Sequence, residues 1–363
     1  MMMRYARILL LSSTVLLLAL AILDVTVKKE ELLVAYGKQF ENEERTAAYY
    51  EAHPPATTSA ERLLELPRES IHGVALTAKG GDITVKRASG DAIRLRYTVT
   101  ATGDDRDEAE RRLDAVRVEG LAHEGQLTFE AAAGGKRLPV HGVTIDYVLL
   151  LPDGMKLSLD NAGGEVHVDG LQSDIAVVSE SGSVEIVDVA GNLAIQSSHS
   201  SIYASNLTGN LDVNNRYSDT HAEEVTGNVA FDIYNGRGFL SNIDGRITGD
   251  AAFSAIHLQA IAGQAELNGN NSHYRLTDIR GDLQLKSVAG DASLVLPAGA
   301  GYTIDAAVRS GDIRTSLPYL IEQDQADGHD ARVSGTTGDG SHNLDLELRG
   351  GYLNIHSEKE VRE

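Results

Sequence analysis

An 18-residue period runs through the middle of this chain and leaves few folds open. Cut every 18 residues after Met155, residues 156–299 align as eight units without a gap. Position 2 of the unit is apolar in every row: Leu157, Ile175, Leu193, Leu211, Val229, Ile247, Ala265 and Leu283. Position 13 is apolar in every row too, from Val168 to Leu294. Position 16 is Leu, Val or Ile until Pro297 breaks the column. Position 18 is Gly in seven rows, Ser173 being the exception, and position 9 is always Gly or Ser. Inside a unit apolar and polar residues alternate, which is the period of a strand and not of a helix. Gly, Ser and Asn separate the alternating stretches, as tight corners require.

One unit offers about five inward side chains, too little apolar burial to offset the ordering of its own backbone. Stacking solves this, because each apolar column packs on the next and the strands hydrogen-bond along the stack. The expected fold is therefore all-β, a right-handed parallel β-helix (β-solenoid) with 18-residue coils and strands of three to five residues. Positions 9 and 18 read as the corners. Position 6, held by Asn161, Ser179, Ser197, Asn215 and Ser287 among others, reads as a side-chain ladder along the stack.

The flanks divide the chain further. Arg4 and Arg7 precede an apolar run from Ile8 to Leu23, the layout of a secretory signal or signal anchor. Ile22 and Leu23 continue the run past the Ala19-Leu20-Ala21 cleavage candidate, which favours an uncleaved anchor over a cleaved signal peptide in residues 1–27. Residues 28–60 read as a juxtamembrane helix ending at Pro54 and Pro55, followed by a linker. Residues 61–155 form an N-terminal β region with one short acidic helix, Asp104 being its N-cap candidate. Residues 300–356 hold C-terminal coils and a polar Gly- and Asp-rich loop at 322–341, and 357–363 form a charged tail.

These features resemble a bacterial "putative adhesin" family, domains of unknown function built on β-strand repeats. The resemblance rests on Gly81-Asp82-Ile83, the acidic helix ahead of Val116-Arg117-Val118, the Leu151-Pro152-Asp153-Gly154 entry and blocks such as Ser181-Gly182-Ser183-Val184-Glu185-Ile186. It covers about residues 61–356. This chain departs from the usual Thr-Asn-Gly-Asp corner. The resemblance implies an exported or membrane-anchored β-helical protein and carries no catalytic residues over.

Chemistry is sparse. The chain has no Cys, which excludes thiolate metal sites, a Cys nucleophile and disulfides. Acidic residues outnumber basic ones 53 to 32, a net charge of −21, so no nucleic-acid footprint is expected. His221 and His257 share column 12 two coils apart, about 10 Å, too far to chelate one ion. They read as solvated surface. Asp324, Asp327, His329 and Asp330 lack calcium-loop spacing. No metal, cofactor or catalytic residue is expected. Five aromatic residues, Tyr203, Tyr217, Tyr234, Phe239 and Tyr274, read as outward or corner positions able to stack on a ligand.

The expectation is a non-catalytic envelope protein: an adhesin or a surface or periplasmic binding and structural module. It would be single-pass in the cell membrane, with most of the chain outside the cytoplasm. The expected partners are the membrane, an envelope protein or a neutral glycan. A membrane-tethered accessory of envelope-stress signalling is the alternative. A polysaccharide-active β-helix enzyme is a third reading, disfavoured because no loop interrupts the eight units to build a cleft.

Overall fold

The computed structural model describes residues 54–138, 141–317, 321–324 and 330–358. Residues 58–101 with 110–363 form one compact unit, and residues up to Thr57 with Thr102–Ala109 another. The expected membrane segment at 1–27 and the juxtamembrane helix lie outside the described residues. Among those described, no helix is long and apolar enough to cross a membrane.

The smaller unit contains the start of α1 (Arg106–Ala115). Asp105 Oδ1 accepts the Glu108 amide at 2.7 Å, and the Glu108 carboxylate accepts the Asp104 amide at 2.9 Å. Asp105, one residue after the expected Asp104, is thus the cap. Glu108 reaches one residue past the cap to Asp104, at the end of the helix where the dipole favours acid.

The larger unit is a stack of parallel coils, and the register is the one the repeat predicts. Coil 1 consists of β9 (Lys156–Asn161) and β10 (Glu165–Asp169), and strands from β11 (Ile175–Ser179) to β24 (Ala292–Leu296) complete coils 2 to 8. Position-2 residues pair in one unbroken row, Leu157 to Ile175 to Leu193 to Leu211 and on to Leu283, each offset by 18 residues. The first strand of each coil builds face A and the second builds face B. Position-2 side chains are at most 2% exposed, so the alternation has sorted them inward. Several strands are longer than expected; Gly182–Ala190 and Ser200–Thr208 run nine residues and turn a second corner without leaving the ladder.

The corners fall only in part where expected, and for a physical reason. Gly164 and Gly182 at position 9 and Gly191 and Gly209 at position 18 do take positive φ, but most left-handed residues are at positions 8 and 15 and carry side chains. His199, Tyr217, Asn235, Phe253, Asn271 and Ala289 hold position 8, and Asp188, Asn206, Glu224, Asn242, Ala260 and Asp278 hold position 15, with φ between 50° and 62°. Side chains in this region cost of order 1–2 kcal/mol each, which the stacked ladder sustains. The Gly column at position 18 serves close approach instead. A Cβ on Gly227 would stand 2.2 Å from the Gly209 carbonyl oxygen one coil below, and Gly209, Gly245, Gly263 and Gly281 meet the same obstacle.

Position 6 is buried, as a ladder would be, but its hydrogen bonds mostly stay within one coil. The side-chain amides of Asn161 and Asn215 donate to the Gly164 and Ser218 carbonyls, and Ser197 donates to the Ser200 carbonyl. These close the corner between the faces. Only the Ser179–Ser200 hydroxyl contact at 2.9 Å links neighbouring coils.

Both ends of the stack are interleaved. β2 (Gly73–Ala78) and β3 (Ile83–Arg87) form the coil under coil 1. Beneath them lie β6 (Gln126–Ala133) and β8 (Val143–Leu151), which come later in the chain. β5 (Val116–His123) pairs antiparallel with β6, and β4 (Ala92–Gly103) pairs antiparallel with β8. At the other end β28 (His342–Ser357) pairs with both strands of coil 8, and β25 (Tyr302–Thr315) lies outside it. β27 (Asp330–Thr337) and β26 (Ile321–Asp324) then add antiparallel. The last coil in sequence is therefore held between two others, and so is the first. Neither can fray alone, and antiparallel strands cover much of the exposed edge.

Two expectations change accordingly. Much of the polar stretch 322–341 is strand; Val333 supplies its inward residue at 1% exposure, and an edge strand can be polar on its outer side. β1 (Ala56–Pro67) begins inside the stretch read as linker, and its Leu64 and Leu66 pack against the core.

Candidate functional site

The most chemically varied surface is the outer side of face B. Column 12 lies in register as His167, Glu185, Tyr203, His221, Phe239, His257, Arg275 and Ser293. Coil stacking sets a repeat of about 4.8 Å, which brings successive rings into contact. Ring centroids are 5.2 Å apart for Tyr203–His221, 4.8 Å for His221–Phe239 and 5.0 Å for Phe239–His257. The first two pairs are tilted by about 33° and 32°, whereas Phe239 and His257 meet edge to face. The row sets side by side a phenol whose hydroxyl Glu223 holds, an imidazole whose Nε2 is buried, an apolar ring and a second imidazole.

Neighbouring charges orient this row. The Tyr203 hydroxyl donates to Glu223 at 2.5 Å. That bond holds the Glu223 carboxyl below its ordinary range, with His221 contributing, and raises the phenol. His221 Nε2 stands 3.5 Å from the other Glu223 oxygen. Burial lowers the His257 pKa, and the Arg275 charge lowers it further. His257 is therefore a ring that favours its neutral form on this surface.

Beside column 12 runs a groove of about 610 Å³. Column 10 forms its other wall with Ser201, Asp219, Arg237, Ala255 and His273, and the strand at position 11 forms its floor. Short side chains at Ser201 and Ala255 leave the space open. Arg237 grips Asp219 through Nε at 3.1 Å and Nη2 at 2.5 Å, which draws the Asp219 carboxyl down from its usual pKa. Asp219 is the one carboxylate among the lining residues.

A second aromatic row marks the corner between the faces. His199–Tyr217, Tyr217–Tyr234 and Tyr234–Phe253 have centroids 5.1, 5.4 and 5.8 Å apart, and the Arg216 guanidinium lies 5.9 Å from the Tyr234 centroid. Tyr217 and Phe253 are about half exposed.

Four of the five aromatics expected at the surface are therefore on it: Tyr203 and Phe239 in the first row, Tyr217 and Tyr234 in the second. Tyr274 is not. It stands at position 11, which points inward, and is 3% exposed. Its hydroxyl donates to the Asn268 carbonyl at 2.7 Å, and burial raises its pKa. Gly269 makes room for the ring; a Cβ there would lie 2.7 Å from it. The sequence does not single out His221, His257, His273, Arg237 and Arg275 as contact residues, although reading column 12 as a row rather than seeking a chelate exposes three of them, His221, His257 and Arg275. Among the described residues no group of three His, Asp or Glu is placed to hold a metal. Asp327 and His329 lie outside the described residues.

A second groove of about 600 Å³ lies on face A, near Ser158, Ala176 and Ala194. Its Asn192 and Asn210 side chains are bonded along the stack, Asn192 to Asp174 at 3.1 Å and Asn210 to Asn192 at 3.0 Å. It holds no aromatic ring, and face B is the better candidate.

No curated protein matches the sequence. Among solved structures, a "putative adhesin" from Parabacteroides distasonis ATCC 8503 is similar at 13% identity and a TM-score of 0.40, over 84% of this chain and 98% of that one. A "putative adhesin" from Bacteroides fragilis NCTC 9343 is similar at 11% identity and 0.33, over 84% and 98%. A "putative lipid binding protein" from Parabacteroides distasonis ATCC 8503 is similar at 12% identity and 0.39, over 82% and 96%. Residues 64–356 match the family described as Toastrack DUF4097; with that match over most of its length, this chain belongs to the Toastrack DUF4097 family, a domain of unknown function.

Proposed function

We propose that the chain is a non-catalytic binding module of the cell envelope, exported by its N-terminal segment, whose face-B groove takes an extended neutral glycan. The observation that carries this reading is the row Tyr203–His221–Phe239–His257 beside an open groove. A repeating polymer is matched by a repeating surface, and a row of aromatic rings beside a groove with polar groups on its other wall suits a sugar chain, which is apolar and hydroxylated by turns. The repeat segment carries 18 acidic and 7 basic residues, a field that repels dense polyanions.

The non-catalytic half rests on the carboxylates. Glycoside hydrolysis generally needs two, about 5 to 9.5 Å apart. The groove is lined by one, Asp219, and Arg237 occupies it.

Binding of the full chain to a glycan array, followed by titration calorimetry of the hits, tests the reading. Phe239→Ala and Tyr203→Ala should each weaken a hit by at least about tenfold, near 1.4 kcal/mol, while Tyr352→Ala, on an exposed ring outside the row, should not. Cleavage of any glycan, lost on replacing a single carboxylate, would overturn the non-catalytic half. Export is checked separately: a C-terminal phosphatase fusion that is well expressed yet inactive would contradict it.

A further inference from the structure

The charges along the face-B groove are unevenly distributed. In coils 4 and 5, inside the groove, Asp219 and Arg237 neutralise each other at 2.5 Å. At the coil-7 end Arg275 extends column 12 beyond His257 and has no ion-pair or hydrogen-bond partner among the described residues. Its column-10 neighbour is His273, and both are exposed. The next acid along column 10, Asp291 of coil 8, accepts the Tyr352 amide at 2.8 Å instead of meeting the guanidinium. An unpaired arginine on a groove wall is notable in a chain of net charge −21.

We infer that the glycan bound in this groove carries a carboxylate on its sugar at the coil-7 end, received by Arg275 with His273 and His257 beside it; this rests on the glycan-binding reading above. A guanidinium matches a carboxylate through two parallel N–H donors, a geometry that a lysine ammonium does not reproduce. The negative field of the coils argues for one acid group and not many, because each further anion would meet repulsion along the stack. The ligand class is thus an oligosaccharide of otherwise uncharged sugars that ends in a single uronic acid. The His257 ring, whose pKa burial and the Arg275 charge lower, adds hydrogen bonding beside the guanidinium.

The test uses the full chain and paired probes. Hexasaccharides of β-1,4-glucose, β-1,3-glucose and β-1,4-N-acetylglucosamine are each titrated in neutral form and with the terminal C6 hydroxymethyl oxidised to a carboxylate. For at least one pair the acid form should bind about tenfold tighter at low salt, and the advantage should shrink as salt rises. Arg275→Gln should erase the difference between the two forms, and Arg275→Lys should keep only part of it. Equal affinity for the two forms, or an advantage untouched by Arg275→Gln, would overturn the carboxylate assignment while leaving glycan binding in place. If neither form of any pair bound, and the array was also blank, the glycan reading itself would fall.

Discussion

Leu211→Asp should destabilise the coil stack by several kcal/mol, whereas Asp212→Ala, one residue along, should change stability by less than about 0.5 kcal/mol. Leu211 pairs with Leu193 below and Val229 above and is 2% exposed. A carboxylate there would lie unpaired between two apolar rungs. Its protonation would ease the penalty, so the loss should lessen at acid pH. Asp212 lies on the outer side of the same strand and is exposed. Urea unfolding of both variants checks this. Similar losses in the two would mean that the strand alternation has been assigned to the wrong face.

A second large effect is expected in the Gly column. Gly227→Ala places a methyl group 2.2 Å from the Gly209 oxygen, 2.5 Å from its carbonyl carbon and 2.9 Å from the Asn210 nitrogen. All three atoms are backbone of the coil below, so relief requires the coils to separate and their hydrogen bonds to stretch. A loss of about 3 kcal/mol or more is expected, at the upper end of overpacking costs. Gly90→Ala is the control, because nothing lies within 4 Å of its Cβ position. It should be neutral within about 0.5 kcal/mol, or stabilise slightly by restricting the unfolded chain. Thermal unfolding of the pair checks the claim, and equal midpoints would contradict the close stacking.

The coil register was legible because it depends on local alternation repeated eight times. Each apolar column reports the same face, so position 2 could be assigned from Leu157 to Leu283 without a structure. The corners were harder to read. Glycine at position 18 looks like a turn residue, yet it answers to a contact 18 residues away, while the turning positions carry side chains as large as Tyr217 and Phe253. That distinction depends on coil spacing, which no single row displays. The interleaved ends were hidden for a similar reason. β28 is inserted between coil 8 and β25, an order set by long-range pairing and not by local pattern. In the candidate site, His221 and His257 were dismissed as too far apart to chelate. Phe239 between them turns the same spacing into ring contact. Tyr274 was misplaced by one position, which in a strand means the opposite face.

Hydrogen–deuterium exchange on the full chain, with and without its best array hit, tests the central claim most directly. The account predicts slowed exchange confined to the face-B strands of coils 3 to 7, from Ser200–Thr208 through His273–Ile279, with the face-A strands of the same coils unchanged. Protection centred on face A, around Ser158, Ala176 and Ala194, or on the stack ends, would contradict the assignment of the groove beside Tyr203, His221, Phe239 and His257 as the binding face.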